Sequence, residues 1–89
     1  MKIDRILDEV CFERERQEQL KEEGKFKYSC ADIEMSDPEC LIVLAEEFGE
    51  VAREVCEGID KPIAKASLRS ELIQVAAVCV AWVEKLDKQ

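Results

Sequence analysis

The sequence predicts an all-α fold: one domain over residues 1–89, three helices long, completing a helical bundle by oligomerisation. Three observations carry this. Charged residues are 38% of the chain and aromatics 6%, with three Gly and two Pro, a helical rather than a β composition. Apolar residues recur at three- and four-residue spacing in separate stretches. The last stretch is apolar all round, and two other helices of an 89-residue chain cannot cover it. A homo-oligomer follows, a dimer making a four-helix or larger bundle. A different covering protein is the competing explanation.

The first helix starts almost at the N-terminus, where Ile3, Ile6, Leu7 and Val10 repeat at helical spacing. From Glu13 to Gln19 the charges alternate densely. That pattern suits an exposed face with local ion pairs, or places Arg14 or Arg16 over a site to grip a phosphate. Gly24 suits the C-terminal cap. Lys25 to Met35 shows no sustained period and is expected to be a loop folded over a site.

Ser36-Asp37-Pro38-Glu39 combines a capping box with Pro in the first turn, so a second helix is expected over Pro38 to Glu57. Leu41, Leu44, Phe48, Val51 and Val55 form its apolar stripe, with Ala45 and Ala52 beside it. Gly58 ends it, and Asp60-Lys61-Pro62 turns the chain into a last helix running to about Lys88. Between Leu72 and Val83 its only strongly polar residue is Gln74.

The net charge is −8 and there is no histidine. Nucleic-acid polymers and anionic membranes are therefore not expected as partners, and any catalysis falls to carboxylates, metal-bound water, Lys, Cys or Tyr. The five cysteines, Cys11, Cys30, Cys40, Cys56 and Cys79, show no C-x-x-C pair. They read as small apolar residues in a reducing, cytoplasmic setting. Met1 to Asp8 is too polar for a signal peptide, and the apolar run Val75 to Val83 is too short to span a bilayer.

Glu46-Glu47-Phe48-Gly49-Glu50 and the isolated Glu71 carry the chemistry. Residues three or four apart share a helix face, so Glu47 and Glu50 point together. On the helical wheel Glu47, Glu50 and Glu54 border the apolar stripe, while Glu46 lies further toward solvent. Glu71 and Gln74 share a face with Ser67, Val78, Ala81 and Lys85. Packed side by side, the two helices would offer a pocket of oxygen ligands suited to a hard cation such as Mg²⁺. A solvated acidic face, or a hydrogen-bonded polar layer in the bundle core, remains the alternative.

These residues resemble the MazG-like, all-α nucleoside triphosphate pyrophosphohydrolases, in their small bacterial and prophage type. That superfamily carries E-E-x-x-E on one helix and E-x-x-D on the next. The strings LAEEFGEVAREV, LRSELIQVAAVCVAWVEKL and ILDEVCFERERQ add to the likeness. The resemblance implies Mg²⁺, with Mn²⁺ able to substitute, held by Glu47, Glu50, Glu71 and the residue at 74. Glu46 would be a further ligand or would orient the attacking water. It implies a nucleoside triphosphate cleaved to the monophosphate and pyrophosphate by a homo-dimer or tetramer in nucleotide-pool house-cleaning. Arg14, Arg16 and Lys85 are the candidates for phosphate contact. Position 74 departs from the motif: Gln brings an amide oxygen but no charge, so weaker metal binding, or one metal fewer, follows. A nucleotide- or metal-binding relative without turnover, and an acidic helical interaction module, are the alternative functions.

Overall fold

A computed structural model describes residues 1–57 and 62–89, with side chains from residue 65 onward in the last helix. The expected stop at Gly58 and turn at Asp60-Lys61 lie outside the described residues. The chain is all-α: α1 (Lys2–Glu22), α2 (Asp37–Glu57) and α3 (Pro62–Lys88).

Local chemistry sets the described boundaries. At the end of α1, Lys25 N donates to Leu20 O at 2.9 Å and Gly24 N to Lys21 O at 3.0 Å. This paired closure needs a left-handed residue between its two bonds. Gly24 supplies it, with φ +82. At the start of α2, Glu39 N donates to Ser36 Oγ at 3.2 Å, and Ser36 N donates back to Glu39 Oε1 at 3.1 Å. Each side chain thus satisfies a backbone donor that the first turn leaves open.

α3 is the central helix. α2 runs antiparallel to it, since Asp37 accepts from Trp82 Nε1 and Lys85 Nζ at one end while Glu47 and Glu50 meet Glu71 further along. α1 lies along another side of α3 in parallel, joined by the Glu9–Arg69 and Arg14–Glu84 ion pairs. Among the described residues α1 and α2 do not pack against each other, and a cleft opens between them with α3 as its floor.

The core is small and sits where the 23–36 segment crosses α2 and α3: Cys30, Ala31, Cys40, Val78 and Ala81, flanked by Met35, Val43, Leu44 and Trp82. Two lysines of α3 tie the segment down. Lys85, 1% exposed, donates to Met35 O at 2.8 Å and to Asp37 Oδ1 at 2.5 Å. Lys88 donates to Ala31 O at 2.9 Å. Trp82 is therefore a packing residue with its indole N–H satisfied by Asp37.

Two expectations need correction. The α2 stripe splits: Leu44 and Val51 turn inward, with Cys40 fully buried, but Leu41, Phe48 and Val55 are exposed. α2 meets α3 along one edge of its apolar arc rather than its middle. The nine-residue run also understates α3. By length and composition Lys65–Lys88, with hydropathy 1.4, is apolar enough to cross a membrane. In this fold two sides of that helix are taken by α1 and α2.

Candidate metal centre and its cleft

Antiparallel packing brings the two sequence motifs together. Glu47 and Glu50, one helical turn apart on α2, meet Glu71 of α3 so that one carboxylate oxygen from each lies within 4.8 Å of the others. Two of these side chains each have an oxygen without any partner: Glu47 Oε2 and Glu71 Oε2 are buried and accept no hydrogen bond. A solvated acidic face would leave such atoms in water, and a satisfied polar layer would give them donors. A buried carboxylate oxygen without a donor is costly.

The electrostatics follow from that crowding. Burial, a hydrogen bond with Glu50 and repulsion from Glu50, Glu47 and Glu54 push the Glu71 carboxyl up to about 6. Glu47 is also raised, first by burial and then by the charges of Glu50, Glu13 and Glu46, with Arg16 partly offsetting them. A cation among these oxygens would reverse the balance. The donors are all hard oxygens from carboxylates, the set that Mg²⁺ or Mn²⁺ takes and that zinc or copper sites seldom use alone. The residues therefore fit a divalent cation.

Glu47 also lines the cleft between α1 and α2, which has a volume of about 260 Å³. Glu46 and Gln74 stand beside it at the acidic end. Arg16 and Gln17 line the α1 side, and Phe26, Tyr28 and Met35 of the crossing segment line it as well. The expected loop is present and borders the cleft. Its aromatic wall, like Glu13 and Gln17, carries no periodic or motif signal that would have identified it beforehand. Cys30 lines the cleft too, but burial pushes its thiol up to about 12, followed by effects of the neighbouring Cys40.

The three basic candidates separate. Arg16 faces the cleft, holding Glu13 through Nε and Nη2 at 2.8 and 2.6 Å. Arg14 is turned away and committed to Glu84, Glu18 and Gln17. Lys85 is the clamp on Met35 and Asp37, and fourteen residues of α3 put its backbone about 21 Å along the axis from Glu71. The structure thus brings Glu46, Glu47, Gln74 and Arg16 to the cleft lining, joins Glu50 and Glu71 to it through Glu47, and leaves Arg14 and Lys85 out.

No protein-family model, curated protein or solved structure matches the chain.

Proposed function

We propose that the chain is a divalent-metal-dependent nucleoside triphosphate pyrophosphohydrolase, working as a homo-oligomer on small nucleotides. The observation that carries this is the pair of orphaned, buried carboxylate oxygens of Glu47 and Glu71, converging with Glu50, where Glu47 also lines a cleft of about 260 Å³. The likeness of LAEEFGEVAREV and the following helix to MazG-like enzymes supports it independently.

Bound Mg²⁺ would neutralise phosphate charge and supply an activated water, the two needs of phosphoryl-group hydrolysis in a chain without histidine. Glu47, Glu50 and Glu71 would hold the ion. Glu46, exposed beside Glu47, would orient or deprotonate the water. Arg16 is the cation within reach of a phosphate tail, exchanging Glu13 for it. Phe26, Tyr28 and Met35 line the remainder of the cleft and would pack against the rest of the substrate.

Gln74 favours one variant of the same proposal, a relative that binds metal and nucleotide without turning it over. Incubating the protein with canonical and modified nucleoside triphosphates and Mg²⁺ separates the two. Pyrophosphate release above a Glu50→Gln control supports the enzyme. Calorimetric binding without release leaves only the binding protein, and absence of both release and binding ends the proposal.

A further inference from the structure

We infer that the wall of the cleft beside the start of α2 is a soft-metal site for Cu(I), with the thiolates of Cys30 and Cys40 as ligands and the Met35 thioether as the third sulfur. It is separate from the carboxylate centre and does not depend on it.

The fold gathers these side chains from two elements. Cys30 and Met35 lie on the segment that crosses α2 and α3, and Cys40 lies in the first turn of α2. Both cysteines are buried in one core cluster, and Met35 packs against it. Cys40 Sγ donates to Cys30 O at 3.8 Å, and the two thiols are in hydrogen-bonding contact. Both are free, so no disulfide competes for them. Packing alone asks only for small apolar side chains here. It does not ask that both carry thiols, that a thioether meets them and that a cation stands behind them.

That cation matters because of the charge the site would carry. Cu⁺ bound by two cysteines displaces both thiol protons to solvent and leaves a complex of net charge −1. A buried anion needs a counter-charge. Lys85, 1% exposed, supplies it: its ammonium stands in hydrogen-bonding reach of Cys40 while holding Met35 O and Asp37. The first turn of a helix also favours negative charge, and Cys40 is placed there.

The donor set chooses the ion. Thiolate and thioether sulfur select Cu(I). Structural zinc takes four ligands from cysteine, histidine and carboxylate, and this chain has no histidine. Burial also pushes the Cys30 thiol up to about 12, ahead of the effects of Cys40. Only a cation that bonds sulfur strongly displaces a proton held so firmly. Entry is from the cleft, which Cys30 and Met35 both line. Seven residues of α2 put Cys40 about 10 Å along the axis from Glu47, so the hard and soft sites are separate. An occupied sulfur site would tie the crossing segment to α2 and fix one wall of the cleft.

The test uses the full chain with Cys11→Ser, Cys56→Ser and Cys79→Ser, which removes the exposed thiols and leaves the buried pair. Reduced, oxygen-free protein is titrated with the Cu(I) complex of bicinchoninate. One Cu(I) per chain should pass to the protein, and Cys30→Ala or Cys40→Ala in this background should abolish the transfer. Because those variants can also disturb the core, X-ray absorption of the Cu(I)-loaded background chain gives a readout that needs neither. Copper should be surrounded by sulfur alone, three atoms in the background chain and two in Met35→Leu. Glu47→Gln should take up Cu(I) unchanged. No transfer from bicinchoninate, transfer that survives Cys40→Ala, oxygen or nitrogen in the copper shell, or a Cys30–Cys40 disulfide formed in place of the complex overturns the inference.

Discussion

Glu71 sits where its charge is least favoured. Its carboxyl is raised from 4.5 to about 6 by burial, by a hydrogen bond with Glu50 and by the charges around it. A group raised on folding contributes stability below its unfolded value and loses it as pH climbs through the folded one. The metal-free protein should therefore lose Glu71's contribution between pH 4.5 and about 6. Glu71→Gln should raise Tm in EDTA at pH 7 and leave it nearly unchanged at pH 4, measured against the unaltered chain. Mg²⁺ should raise Tm of the unaltered protein at pH 7 and not that of the variant. The arginines divide by their partners. Arg16→Ala should raise KM for a triphosphate on the order of tenfold with the fold intact. Arg14→Ala should instead cost about 2 kcal/mol of stability, because it strips Glu84 and Glu18 of a charge-assisted partner.

At the scale of elements, what local chemistry decides was legible, and what distant packing decides was not. Ser36 and Glu39 announce the start of α2 within four residues, and Gly24 its counterpart at the end of α1. Ser36→Ala should cost about 1 kcal/mol by loss of the cap. Gly24→Ala should cost a similar ~1–2 kcal/mol, because alanine must adopt a positive φ there. Urea unfolding checks both. The α2 stripe was misjudged for a different reason. Periodicity locates an apolar arc, but only the partner helix selects which part of it is buried, and α3 took the edge bearing Cys40, Leu44 and Glu47. The 23–36 segment has no period because it is held from α3, by Lys85 on Met35 and Lys88 on Ala31. No window of sequence contains both partners.

At the scale of the whole molecule, the candidate site depends on an antiparallel register that places Glu50 opposite Glu71 and Asp37 opposite Lys85. The carboxylate pattern was readable because Glu47 and Glu50 are a turn apart, and Glu71 stands out against an apolar helix. The cleft was not readable, since it exists only because α1 and α2 both pack on α3 and not on each other. The same arrangement leaves Leu41, Phe48, Leu72 and Val83 exposed. The most direct test is a Mn²⁺ titration of the metal-free protein followed by electron paramagnetic resonance, alongside Glu47→Gln and Glu71→Gln. Saturable binding to the unaltered chain, lost or strongly weakened in both variants, is the expected result. Absence of binding, or binding that both variants retain, would contradict a cation centre at Glu47, Glu50 and Glu71.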